Sequence, residues 1–159
     1  MRRIAIILSF LFAVLAPLQS LAGQKDQQPP PASAKCPICG MFVARYPEWV
    51  ASLACKDGGR YYFDGPKDLF RFYMEPGRYV QSRKQDDIAD IRVKDYYSLA
   101  PIDGRKAYYV IGGNVRGPMG RELIPFAGKS DAEGFMKDHS GKKVLRFNEI
   151  TPAVLKGLD

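Results

Sequence analysis

Cys36 and Cys39 flank Pro37 and Ile38, and Met41 follows across a single glycine, so one short segment offers two thiols and a thioether. Soft sulfur donors select Cu(I) over zinc, calcium or magnesium. In an extended segment residues i and i+2 point the same way, which would turn the Cys39 and Met41 sulfurs toward one ion. Two or three sulfurs at low coordination number suit a carrier, because each ligand can be exchanged stepwise for one from a recipient. The competing reading of Met41 is a flexible core filler. Met119 stands in the loop Arg116-Gly117-Pro118-Met119-Gly120, where a packing methionine is less expected, and it joins the candidate ligands with Cys36, Cys39 and Met41. Met74 and Met136 fall on expected helices and read as packing residues. His139, the one histidine of the sequence, ends an expected helix, either as a cap facing the helix dipole or as a further ligand. Cys55 ends an apolar run and reads as a buried thiol.

The Cys36-x-x-Cys39 pair admits two other chemistries. A thiol-disulfide oxidoreductase would place the motif at the opening of a helix, whose dipole lowers a thiol pKa. Here a Pro- and Ser-containing stretch precedes the pair, and Gly40 with an extended run follows it. A structural zinc site needs four ligands, commonly two such pairs, and only Cys55 and His139 remain to complete one. Gly40 after Cys39 excludes covalent haem attachment, which needs a histidine there. No general base, nucleophile partner or cofactor motif accompanies the sulfurs, so the chain reads as a metal carrier and not as an enzyme.

The elements that must position these residues are short. Phe42 to Tyr46 reads as extended until Pro47 breaks it. Trp49 to Cys55 and Arg60 to Phe63 form an expected hairpin around the turn Lys56-Asp57-Gly58-Gly59. Pro66 opens a helix to about Met74 with Leu69, Phe70 and Tyr73 on one face, and Pro76-Gly77 ends it. Ile88 to Tyr97 alternates, with Ile91, Val93 and Asp95 on one side. Asp103-Gly104 is a turn, and Ala107 to Ile111 and Glu122 to Phe126 are further strands. Ser130-Asp131-Ala132-Glu133 has the capping-box pattern of a helix running to about Asp138, and Val144 to Phe147 is the last strand. This order predicts an α+β domain of two ββα-like halves with mainly antiparallel sheets.

Residues 1–22 have the form of a secretory signal peptide: Arg2 and Arg3, an apolar run from Ile4 to Leu18, then Ser20-Leu21-Ala22. Pro17 breaks that run below the ~20 residues that a spanning helix needs. Residues 23–35, rich in Gln, Pro, Ser and Ala, read as a flexible linker, 36–150 as the metal-binding domain and 151–159 as a C-terminal tail. Export places the thiols in an oxidising compartment, the periplasm, where an odd count of three leaves at least one outside any intramolecular disulfide. The formal charge of +7 comes from scattered Lys and Arg with no nucleic-acid-binding motif, so a nucleic-acid partner is not expected.

The run Cys36-Pro37-Ile38-Cys39-Gly40-Met41-Phe42-Val43, with Tyr46-Pro47, Phe63-Asp64-Gly65 and Lys67-Asp68, resembles the NosL family. So do Gly117-Pro118-Met119-Gly120, Ile124-Pro125-Phe126 and the Asp131-Ala132-Glu133 helix that ends at His139. The resemblance covers about residues 35–150. It implies a periplasmic Cu(I) protein that serves the maturation of nitrous oxide reductase, or another exported copper enzyme, and a fold shared with the organomercurial lyase superfamily. Cys39 and Met41 match the most characteristic unit of the family pattern, Met119 a family methionine, and His139 a region where histidine often occurs; Cys36 is the less general cysteine. Carbon–mercury cleavage, which the shared superfamily raises, needs two cooperating cysteines and an acid, and no Cys and Asp constellation of that kind is visible in the sequence. Many family members carry a lipid-anchoring cysteine after Leu-Ala-Gly. Here Gln24 follows Leu21-Ala22-Gly23, so no stable membrane anchor is expected.

Overall fold

The computed structural model describes residues 29–159; the expected signal peptide, Gln24 and the first part of the linker lie outside the described residues. The hairpin forms as its turn dictates. β1 (Ala51–Cys55) and β2 (Arg60–Phe63) pair antiparallel with Ala51 opposite Phe63 and Leu53 opposite Tyr61. β3 (Ile88–Lys94) pairs with the other edge of β1, and β4 (Pro101–Asp103) with β3, giving an antiparallel sheet of order β2-β1-β3-β4. The alternation read in β3 is real: Ile91 and Val93, with Asp95 just beyond the strand, are buried while Arg92 and Lys94 are half-buried. The second sheet, order β6-β5-β7, is built from β5 (Tyr108–Ile111), β6 (Ile124–Phe126) and β7 (Lys143–Arg146), again all antiparallel.

Each sheet has its helix. α1 (Pro66–Met74) starts with Pro at its first position, where the missing N–H costs nothing. It buries Leu69, Phe70 and Phe72 in the main core, where Phe72 meets Phe63 of β2 and Phe70 meets Tyr109 of β5, and leaves Tyr73 half-buried. Three such side chains contribute about 1.5–3 kcal/mol each when fully removed from water, enough to fix how α1 sits. α3 (Lys129–Asp138) buries Ala132 and Phe135 in a second, smaller apolar cluster with Val110, Ile124 and Phe126. The domain is thus α+β with mainly antiparallel sheets, but β3, expected to open a second ββα-like half, pairs with β1 instead, so β1–β4 share the first sheet with α1 beside it and β5–β7 the second with α3.

Several local expectations change. Phe42 makes one bridge to Lys35, after which Val43–Arg45 is a 3-10 turn and not an extended run. Pro76-Gly77 does not simply stop a helix: it opens a second short one, α2 (Pro76–Tyr79). α3 begins at Lys129 with Gly128 as its cap and no side-chain capping bond, so Ser130 and Glu133 lie inside it and are not a capping box. Residues 151–159 are not a loose tail. Thr151 caps α4 (Pro152–Lys156) by accepting from the Val154 N–H, and Leu155 and Leu158 join the main core. Among the described residues, no helix is long and apolar enough to cross a membrane.

Candidate metal centre

The segment Cys36–Met41 folds back on itself. The Cys36 N–H donates to the Met41 carbonyl at 2.9 Å and the Gly40 N–H to the Cys36 carbonyl at 2.9 Å. The Lys35–Phe42 bridge closes the loop. Gly40 has φ +78°, a left-handed conformation that glycine adopts without the penalty of a Cβ. The path Cys39-Gly40-Met41 is therefore a tight turn and not the extended run that would align residues i and i+2. What the turn supplies instead is backbone donors. Amides of Cys39 and Ile38 point at the Cys36 sulfur, and the Met41 amide at the Cys39 sulfur. Cys36 is buried, while Cys39 and Met41 are half-buried.

The polypeptide between β2 and α1 faces this loop. Asp64 follows the last residue of β2, and Asp68 lies in the first turn of α1, where the helix N-terminus favours a negative charge. The Cys39 thiol donates to Asp64 Oδ1 at 3.3 Å and the Cys36 thiol to Asp68 Oδ2 at 3.4 Å. One donor atom from each of Cys36, Cys39, Asp64 and Asp68 lies within 4.8 Å of all the others, an arrangement that could hold a metal ion. Asp64 is completely buried, yet its Oδ2 has no hydrogen-bond partner, the kind of unmet acceptor that a ligand or ion satisfies. Asp68 is tied on its far side to Arg71 at 3.1 Å, and Arg71 also pairs with Asp159 from the C-terminus.

Both thiols are held above their ordinary values. Burial pushes Cys36 far up and Cys39 to about 11; the Asp64 carboxylate adds to both, against the lowering effect of the backbone amides. All three cysteines are free.

The sequence reading missed Asp64 and Asp68 as site residues and found no Cys and Asp constellation; the structure corrects this by placing two of each together. The available signal was Asp64 and Asp68 within the motifs Phe63-Asp64-Gly65 and Lys67-Asp68, but their meeting with the cysteines depends on how β2 and α1 fold back.

Met119 lies in the turn Gly117–Gly120, closed by reciprocal backbone bonds of 2.8 and 3.1 Å, and is 40% exposed. Its carbonyl accepts from Lys67 Nζ at 2.9 Å, so this turn packs on the start of α1, the same stretch that carries Asp64 and Asp68. His139 is elsewhere. It follows the last residue of α3, stacks on Phe135 at 4.2 Å and places Nδ1 3.2 Å from Asn114 Oδ1, outside the Cys and Asp group. Cys55 is buried at the end of β1, also outside it. Met74 and Met136 are half-buried and pack on the two apolar clusters.

A two-sheet α+β domain that holds two thiols against two buried carboxylates on a tight loop defines a candidate metal-binding protein. A model of the NosL family matches residues 28–155. The chain is 30% identical over 132 residues to the copper-binding lipoprotein NosL of Stutzerimonas stutzeri, an alignment covering 78% of this chain and 65% of that relative's length. Its fold superposes on the crystal structure of the copper chaperone NosL from Shewanella denitrificans with a TM-score of 0.68 and 30% identity, covering 81% of this chain and 98% of that one. The chain belongs to the NosL family.

Proposed function

We propose that this chain is an exported, periplasmic Cu(I) carrier that hands its ion to a recipient copper enzyme by ligand exchange. Nitrous oxide reductase or its assembly complex is the recipient we assign. Cys39 and Met41 are the central ligands, with Met119, Cys36 or His139 as the third, a set of low coordination number.

The observation that carries this reading is the folded loop Cys36–Met41, which gathers both thiols at one point and steadies their sulfurs with main-chain amides. Binding releases the thiol protons, and the metal's charge then offsets the burial that otherwise disfavours thiolate. The names of the relatives, a copper-binding lipoprotein and a copper chaperone, point the same way. A thiol-disulfide oxidoreductase at Cys36 and Cys39 is the weaker reading, because a nucleophilic thiol needs a lowered pKa and burial here raises both.

The test is anaerobic Cu(I) competition against a coloured chelator with the parent, Cys39→Ser and Met41→Leu. One-to-one binding that each substitution weakens by about tenfold or more, equivalent to about 1.4 kcal/mol, is the expected result. Unaltered affinity in Met41→Leu removes the Cys39–Met41 site and returns the dithiol chemistry to the front. Transfer from the loaded protein to copper-free nitrous oxide reductase, followed by its optical spectrum, tests delivery.

A further inference from the structure

Lys67 is 2% exposed, and an ammonium group is among the costliest to bury unless its hydrogen bonds are satisfied. Its three polar links run to two separate parts of the chain, the 117–122 loop and the C-terminal residues. Nζ donates to the Met119 carbonyl at 2.9 Å and to the Leu158 carbonyl at 3.4 Å, while its main-chain N–H donates to Glu122 Oε1 at 2.6 Å. Glu122, itself 4% exposed, also accepts from the Leu123 N–H at 2.9 Å. Two glycines make room for it: a Cβ at Gly65 would strike the Glu122 carboxylate, and one at Gly117 would come within 3.0 Å of Glu122 Cγ. The metal cluster uses none of these groups. Together they fasten the Gly117–Gly120 turn to the first turn of α1, between Asp64 and Asp68.

We infer that Lys67 is a positioning residue for the copper site: by clasping the Met119 carbonyl it sets where the Met119 thioether stands relative to Cys39 and Met41. The inference rests on the copper reading above. Without the clasp the turn keeps its own two backbone bonds and the bond from the Lys67 main-chain N–H to Glu122, none of which holds the Met119 carbonyl. A neutral thioether binds copper weakly, so its contribution depends on being held in place before the ion arrives. Leu158 on the second Nζ bond ties the same lysine to the C-terminal residues, so α4 and the Met119 turn share one anchor.

A double-mutant cycle tests this, with Cu(I) affinity measured for the parent, Lys67→Leu, Met119→Leu and the double variant. Lys67→Leu is expected to weaken binding by roughly tenfold in the parent, within the range of coupled neighbours, and to have no further effect once Met119 is leucine. A merely structural role would cost the same in both backgrounds, and that result, or unchanged affinity, overturns the inference. Metal-free ¹³C-methyl methionine spectra give a second readout: the Met119 methyl should move toward its random-coil position in Lys67→Leu while Met41 stays in place. A Met119 signal that does not move also overturns it. If Lys67→Leu loses its near-UV circular dichroism, the cycle and spectra are read on Lys67→Gln, whose shorter amide cannot span to the Met119 carbonyl. A parent that binds no Cu(I) sinks the copper reading and this role of Lys67 with it; a parent that binds Cu(I) with an additive cycle sinks only the second.

Discussion

The Cys39 sulfur stands 3.3 Å from Oδ1 of Asp64, a carboxylate 25 residues away in the chain and wholly buried. A thiol donating to a carboxylate is stable in the metal-free protein, and it opposes thiolate formation until a cation arrives. The contact links the loop that offers the sulfurs to the turn between β2 and α1. It makes the protonation of the site a property of both.

Asp64→Asn keeps the shape of the side chain and removes the charge. Since Asp64 raises both neighbouring thiols, its neutralisation lowers them, and Cys39 should ionise below about 11 in the metal-free protein. Thiolate absorbance at 240 nm followed against pH reads this directly. A Cys39 titration unchanged or moved upward contradicts the role assigned to Asp64.

Glu122 makes the stability of the fold depend on pH. Burial raises its folded-state pKa from 4.5 to about 8, against the lowering effect of the Leu123 and Lys67 amides and the Lys67 charge. Between those values the folded chain retains a proton that the unfolded chain has lost, so stability falls as pH rises from 4.5 to about 8 and is flat with respect to this group beyond. At 1.36 kcal/mol per unit the ceiling is on the order of 4–5 kcal/mol. Urea unfolding at pH 5 and pH 8 should show this loss in the parent and a smaller one in Glu122→Gln; equal losses would remove Glu122 as the cause.

Two glycines should respond to alanine with opposite sign. Gly65 is extended at φ −168°, so alanine there meets no backbone strain, but its Cβ collides with Glu122. Overpacking of that kind costs about 1–3 kcal/mol. Gly134 lies inside α3, and a methyl group added there would find no other atom within 4 Å, so alanine should stabilise by about 0.5–1 kcal/mol. Melting temperatures of the two variants check the pair.

Deleting residues 152–159 should destabilise the domain by several kcal/mol, since Leu155 and Leu158 each bury side chains worth about 1.5–3 kcal/mol and Lys67 loses an acceptor. A truncated protein with the parent's denaturation midpoint would show that α4 contributes nothing to the core.

The sequence by itself determined what is local. Lys56-Asp57-Gly58-Gly59 turns β1 into β2, Pro66 starts α1, and the period-two pattern of Ile91, Val93 and Asp95 marks the buried face of β3. The candidate sulfurs were legible for the same reason, since Cys36, Cys39 and Met41 are neighbours in the chain and need no fold to be noticed. Where residue type alone was weighed, the backbone path and the packing of the folded chain overrule it. Gly40 turns left-handed and bends the Cys39–Met41 segment, Gly128 takes the cap expected of Ser130, and residues 151–159 gain a helix because Leu155 and Leu158 find a core to enter. Only the tertiary structure decided the carboxylate half of the site. Asp64 and Asp68 meet cysteines 25 and 32 residues away because β2 and α1 pack back against the loop, and no spacing rule reaches across such distances. The same holds for Lys67, an ordinary surface lysine by composition, whose burial against the Met119 carbonyl exists only once the Met119 turn and the C-terminal residues close around it.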